Sequence, residues 1–217
     1  EDETQLGITL IDAGGGTTSV AVFFDSELIH TDSIPLGGLH VTRDLARGLS
    51  TPMAQAERIK TLYGSCQPST SDSRQMIEVP PIADDGASEG TLVPRSMLVG
   101  IIRPRMEEIF EMVRARLQDA GYDRVAGRRV VLTGGGAQLP GAGELAGQVL
   151  DKQVRIGRPR GIEGLPDAVV GPAFATVTGL LRFAADRPQE GVEPVYRPAG
   201  SAHSRFGRLG QWLRENF

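Results

Sequence analysis

The chain has 217 residues, 40% of them hydrophobic, with a formal net charge of −4 and one cysteine, Cys66. This describes a globular chain able to bury a core and excludes a wholly disordered one. The acidic balance argues against general nucleic-acid binding, the single cysteine rules out an intramolecular disulfide, and no apolar run reaches the ~18–20 residues of a membrane-spanning helix.

The chain opens on Glu1 rather than methionine, so a cut edge is expected there. Leu6–Asp12 and Ser19–Phe24 are rich in β-formers and predict strands joined by a Gly/Thr turn. Leu28–Pro35 predicts a third strand after a turn at Asp25–Ser26, which completes an antiparallel meander. Beyond Gly37–Gly38 the apolar period becomes helical at Val41, Leu45 and Leu49, with Gly48 as a stop. Thr51 and Pro52 predict an N-cap and a first helical residue, followed by an apolar stripe of Ala56, Ile59, Leu62 and Tyr63 that ends at Gly64.

From Ser65 the sequence predicts a loop, a short strand in MIEVPP and an acidic loop in ADDGASEG. Ser96 is expected to cap a short helix ending near Arg103, where Pro104 breaks or kinks it. A longer helix then carries Met106, Ile109, Phe110, Val113 and Leu117 on one side and closes at Gly121. Residues 51–128 thus read as a smaller inserted subdomain. Arg129–Thr133 predicts a strand leading through a glycine loop into a helix, QVRIG another strand, and Pro172–Ala184 a helix. Residues 186–203 carry Pro188, Pro194 and Pro198 and read as a linker, with the last fourteen residues as a separate segment.

Two glycine loops stand out. In IDAGGGTTSV, Asp12 ends a strand beside Gly14, Gly15 and Gly16. Glycine lets backbone N–H groups approach a phosphate, Thr17 and Thr18 add hydroxyl donors, and an acid at a strand end can hold magnesium directly or through water. The plain alternative is a hairpin turn. LTGGGAQLPG repeats the device at Gly134, Gly135 and Gly136 and matches neither the dinucleotide nor the Walker fingerprint. It is either a tight strand-to-helix turn or a surface on which an adenine ring stacks. Between the loops, Glu57 and Lys60 are i, i+3 neighbours on one helix face. They are either an exposed ion pair or a bracket for a ribose and base.

The order strand–GGGTT–strand, helix with E-x-x-K, inserted segment, strand–GGGA–helix resembles the actin-like ATPase superfamily. Within it, IDAGGGTTSVAVF, GGLHVTRDLARGLSTPMAQAERIKTLYGS, VVLTGGGAQLPG, VRIGRP and GRLGQWLRENF resemble the FtsA family of bacterial cell-division proteins in its alphaproteobacterial form. The resemblance implies an α/β, actin-like (ribonuclease H-like) subdomain 2A in residues 1–50 and 129–185, and an inserted α+β subdomain 2B in residues 51–128. It makes Asp12–Thr18 the second phosphate loop, Glu57 and Lys60 the nucleoside-contacting pair, and Gly134–Ala137 the adenosine motif, with ATP and Mg2+ as ligands. Nothing in the chain matches the family's first phosphate loop or its water-positioning residue. The expectation is therefore a C-terminal half that supplies one wall of the cleft, assigns no catalytic residue and sustains weak ATP hydrolysis at most.

On a helix, Phe206, Leu209, Leu213 and Phe217 fall within roughly 80° of one another, with Trp212 flanking them and Arg208, Gln211, Arg214 and Glu215 opposite. Such a segment either docks on its own protein or lies in a headgroup plane with its arginines toward anionic lipid. FtsA-like proteins end in a membrane-targeting amphipathic helix, which implies the second reading for residues 204–217. They bind the C-terminal tail of the tubulin-like FtsZ through 2B, which implies contacts near Arg95, Arg103 and Arg105, where the plain alternative is ordinary solvated arginine. The resemblance further implies filaments of the protein itself, other division proteins as partners, and a place on the cytoplasmic face of the inner membrane at the septum. Rival readings are an MreB-like shape filament and an actin-fold sugar kinase or chaperone ATPase.

Overall fold

The computed structural model describes residues 2–82, 90–125, 127–160, 164, 166 and 169–186. Three strands, β1 (Ile8–Ala13), β2 (Thr18–Phe24) and β3 (Glu27–Ile34), form the expected antiparallel meander. Its second turn puts Asp25 and Ser26 both at positive φ, 51° and 64°, the twist that suits a two-residue hairpin. Leu6 does not join β1. It ends a short helix, α1 (Asp2–Leu6), and Gly7 at φ 89° turns the chain into the strand. The carbonyls of Thr4 and Gln5 accept the Ser26 and Asp25 N–H groups, so α1 closes the β2–β3 turn, a partnership no local pattern announces.

Helices α2 (Gly38–Gly48) and α3 (Met53–Tyr63) follow. Thr51 is not a cap. It is buried, and its hydroxyl donates to Pro80 O at 2.6 Å, while Pro52 takes the N-cap position. Of the stripe expected on α3, Ala56 and Ile59 are buried but Leu62 and Tyr63 are exposed. A hairpin of β4 (Met76–Val79) and β5 (Thr91–Pro94) leads into α4 (Arg95–Asp119).

Helix α4 runs through Pro104 without ending, and its N-cap is Pro94 rather than Ser96. A mid-helix proline removes one hydrogen bond and crowds the carbonyl four residues back, at a cost of ~3 kcal/mol or more. Here that carbonyl belongs to Gly100, a solvent-exposed residue of α4. Leu98, Val99 and Ile102 are buried before the proline, and Met106, Ile109 and Phe110 after it. Fully burying each of these is worth about 1.5–3 kcal/mol, so packing on both sides outweighs the local penalty.

Strands β6 (Arg129–Thr133) and β7 (Gln153–Ile156) complete a sheet of order β3-β2-β1-β6-β7, with α5 (Ala142–Leu150) between them and α6 (Ala175–Asp186) after them. The core joins Ile11, Val20 and Val22 of the sheet to Val41 and Leu45 of α2, to α4 and to Leu145 of α5. Ile59, Ile77 and Val79 belong to the same cluster, so the segment 51–128 shares its core with the sheet. Residues 1–182 form one compact unit, and the second begins at Phe183. No helix among the described residues is long and apolar enough to cross a membrane.

Cys66 is fully buried, and its N–H donates to Pro140 O at 2.8 Å. Burial pushes its thiol up to about 12, against the pull of Arg103. We expect Cys66 to resist a thiol reagent at pH 8 in the folded protein and to react at once in denaturant. Fast labelling without denaturant would contradict this packing.

The parallel register positions the site. Asp12 of β1 lies opposite Thr133 of β6, so the two glycine loops leave neighbouring strands at the same end of the sheet.

Candidate functional site

The first glycine loop is closed on itself and pinned to α2. Gly14 N–H donates to Thr17 O at 2.9 Å, while Gly14 O and Gly15 O accept the Gly38 and Leu39 N–H groups at 2.9 and 2.8 Å. This approach is possible because residue 37 is glycine: a Cβ there would stand 2.6 Å from both Gly14 O and Gly15 O. Thr18 is buried and donates to Leu36 O at 2.9 Å, so its hydroxyl latches the loop. Gly15, Gly16 and Thr17 are exposed, and no hydrogen bond among the described residues takes up the Gly15 or Gly16 N–H.

The second loop turns at Gly134, whose φ is 86° and whose N–H donates to Pro172 O at 3.1 Å. A 3-10 turn, Gly135–Gln138, follows and packs Gly136 against Ala13 of β1.

Helix α3 supplies the third side. Lys60 Nζ donates to Glu57 Oε2 at 2.8 Å, to Thr42 Oγ1 at 2.9 Å and to Gly38 O at 3.1 Å, and Thr42 Oγ1 also bonds Glu57 Oε2. Burial pushes the Glu57 carboxyl up, but the Lys60 and Thr42 hydrogen bonds and the Lys60 charge together hold it below the usual 4.5. A depressed carboxylate adds stability that is present above its unfolded value and lost as pH falls through the folded one. Acidification below about pH 4.5 should therefore cost the wild type more thermal stability than a Glu57→Gln variant, measured as the change in Tm. Equal losses would mean that the carboxylate gains nothing from this network.

These three segments enclose a cleft of about 260 Å³ lined by Gly14, Gly15, Glu57, Lys60, Gly135 and Gly136, together with Gly38 and Leu39 of α2 and Gln138–Pro140. Gly16, Thr17, Thr18 and Gly134 are not part of this lining, though each shapes the loops that are. The α2 contribution was missed because Gly37–Gly38 reads in sequence only as a change of period.

Asp12 does not line this cleft. Its carboxylate accepts a hydrogen bond from Thr176 Oγ1 and lies along a neighbouring groove with Thr31 and Ser33. No group of three His, Cys, Asp or Glu gathers among the described residues to cage a metal. A lone carboxylate at a strand end still suits magnesium, which takes one or two protein carboxylates and completes its shell with water and phosphate.

The three arginines proposed for a partner are each paired within the chain. Arg95 binds Asp72 and donates to Tyr63 O at 2.8 Å. Arg103 donates to Glu107 at 2.9 Å, and Arg105 donates to Asp44 at 2.5 Å and pairs with Glu108. The expected lipid-facing residues Phe206, Leu209, Trp212, Leu213 and Phe217 lie outside the described residues.

Residues 9–179 match the family model described as "Cell division protein FtsA". The "Cell division protein FtsA" of Rhizobium meliloti (strain 1021) is 47% identical over 219 residues, covering 100% of this chain and 50% of that protein. The protein of the same name from Agrobacterium fabrum is 47% identical over 220 residues, with the same coverage. The chain belongs to the FtsA family.

It spans about half the length of the curated FtsA relatives it matches. Among solved structures, MreB5 of Spiroplasma citri bound to AMPPNP aligns with TM-score 0.65 and 19% identity, over 86% of this chain and 55% of that one. At that identity the likeness is one of fold. The chain therefore has an actin-like α/β architecture, and the MreB-like and kinase readings of the sequence give way to the FtsA-family assignment.

Proposed function

We propose that this chain forms one wall of an ATP cleft in a division protein that tethers FtsZ filaments to the cytoplasmic membrane at the septum. The observation that carries the reading is the meeting of three distant segments, Gly14–Gly15, Glu57–Lys60 and Gly135–Gly136, around one cleft. Bare glycine backbone at two of its sides suits phosphate and a flat base, and a carboxylate at the third suits sugar hydroxyls. MreB5, which shares the fold, is bound to ADP in one structure and to AMPPNP in another, which supports an adenine nucleotide here.

In this reading ATP is a structural and regulatory ligand that governs self-assembly into filaments. Mg2+ neutralises its phosphates, and Asp12, beside the first glycine loop but outside the cleft lining, would hold the ion directly or through water. Subdomain 2A comprises residues 1–50 and 129–185 and 2B residues 51–128, with a linker at 186–203. The 2B region around Arg95, Arg103 and Arg105 receives the FtsZ tail, which must compete with the carboxylates those arginines already hold. The terminal helix 204–217 binds anionic lipid through Phe206, Leu209, Trp212, Leu213 and Phe217. Other division proteins complete the assembly.

The test is co-sedimentation of FtsZ with anionic liposomes in the presence of the full-length protein and ATP. FtsZ should pellet with the liposomes, and Trp212→Glu should leave it in solution. Gly135→Leu should remove the ATP-dependent part, because that position has no heavy atom within 4 Å of a Cβ and the new side chain fills the cleft without disturbing the fold. Unchanged pelleting in both variants would defeat the proposal.

A further inference from the structure

A second hollow lies at the end of the sheet away from the glycine loops. Arg128 leads into β6 and Lys152 into β7, whereas the second glycine loop leaves β6 after Thr133. A groove of about 490 Å³ there carries four cations, Arg114, Arg124, Arg128 and Lys152, against two carboxylates, Asp123 and Asp151. The chain as a whole has a net charge of −4, so this gathering of positive charge is local.

The four cations are not equivalent. The Lys152 side chain is 7% exposed, and its ammonium is used within the fold. It donates to Asp123 O at 2.6 Å and to Gly127 O at 2.9 Å, and it lies 3.4 Å from Asp123 Oδ1. Lys152 thereby neutralises one of the two acids and ties down the segment that bears Arg124 and leads to Arg128. Arg114 of α4 gives one N–H to Val149 O at 2.9 Å, which anchors it to the end of α5 and leaves the rest of its guanidinium fork open. Arg124 and Arg128 are exposed, and no hydrogen bond or ion pair among the described residues takes up their side chains. Three guanidiniums from separate segments thus border one hollow, with only Asp151 to offset them.

We propose that this groove binds a compact multivalent phosphate, a di- or triphosphate group, at a site separate from the ATP cleft. Like charges around a concavity focus their field into it and draw in an anion. Guanidinium forks match the paired oxygens of phosphate and grip them by charge-assisted hydrogen bonds. The volume is that of a small-molecule site. The anchors on Arg114 and Lys152 are in place before any ligand arrives, so less ordering opposes binding. A hollow between α4, α5 and the start of β6 suits a soluble anion better than the plane of a bilayer.

The test is calorimetric titration of the full-length protein with inorganic triphosphate at low and at high salt. Binding should weaken as salt rises. Arg124→Ala and Arg128→Ala should each weaken it about tenfold or more, the usual loss of a hydrogen bond to a charged group. Both side chains are exposed, so the fold should tolerate their removal. Asp151→Asn should tighten binding roughly twofold to fivefold by removing the opposing charge. Asparagine also accepts the left-handed φ of 52° at this position. Gly135→Leu, which fills the glycine-loop cleft, should leave this binding in place. Loss in Gly135→Leu with retention in the arginine variants would put the anion in the ATP cleft, supporting that reading and overturning this one. Wild-type protein that ignores triphosphate overturns the proposal and leaves the ATP reading to its own test. A Trp212→Glu protein that binds phosphatidylglycerol vesicles through Arg124 and Arg128 while ignoring triphosphate would make the groove a lipid contact, which overturns it as well.

Discussion

Gly134→Ala should destabilise the protein by about 3 kcal/mol or more, the sum of the left-handed backbone penalty and core overpacking. The backbone there has φ 86°, which an L side chain rarely adopts. An added Cβ would lie 2.3 Å from Asp12 Oδ1 and 2.5 Å from Ala13 O, and the second of these is backbone at the end of the central strand β1. Neither neighbour has an easy escape, because Asp12 pairs with both β2 and β6 and its carboxylate is held by Thr176. Urea unfolding measures the effect. Gly135→Ala is the control: one residue on, φ is ordinary and a Cβ has no neighbour within 4 Å, so little change is expected. Similar midpoints for the two variants would show that the loop does not depend on this close approach. The same two glycines separate the roles within the motif, since Gly134 makes the turn and Gly135 leaves room in the cleft.

Arg95→Met should cost about 3–5 kcal/mol, the usual result of leaving a buried charge without its partner. Asp72 is the charge in question. Its side chain is 2% exposed, one oxygen pairs with Arg95 and the other accepts the Ser69 N–H at 2.7 Å. Arg95 also donates to Tyr63 O, tying the end of α3 to the start of α4 across the loop 65–75. The double variant Asp72→Asn with Arg95→Met should recover part of the loss, because no buried charge then remains. If Arg95→Met changes the unfolding midpoint no more than an ordinary surface substitution, this arginine is not a structural fastener. Arg95 then returns as a free contact for an acidic tail. The experiment thus bears on partner binding as well as stability, and it singles out Arg103 and Arg105, which are paired with more exposed carboxylates, as the better candidates.

Much of the architecture is written locally. The β1–β2–β3 meander follows from β-forming runs and short turns, and α2 from the spacing of Val41 and Leu45, both fully buried. The glycine loops and the Glu57–Lys60 spacing are also visible one segment at a time, because glycine freedom and i, i+3 geometry act within a few residues. The segments that sequence reasoning misplaced are those whose conformation is settled from a distance. Thr51 has an ideal capping side chain, but a carbonyl 29 residues away takes its hydroxyl. Pro104 should break a helix, but apolar residues on both sides hold α4 to the core.

By itself the sequence determined the family, the sheet-forming runs, the two glycine loops and the paired acid and lysine, since each is a property of a short stretch. Tertiary structure decided how those stretches are used. Parallel pairing of β1 with β6 brings the two loops to one end of the sheet. Thr42, fifteen residues from Glu57 and unremarked in the pattern, joins the acid and the lysine into one unit. Asp12 turns to Thr176, 164 residues away, and the arginines of α4 turn to carboxylates on other turns and other helices. A long or polar side chain takes whichever partner folding brings within about 3 Å, and that choice depends on the path of the whole chain.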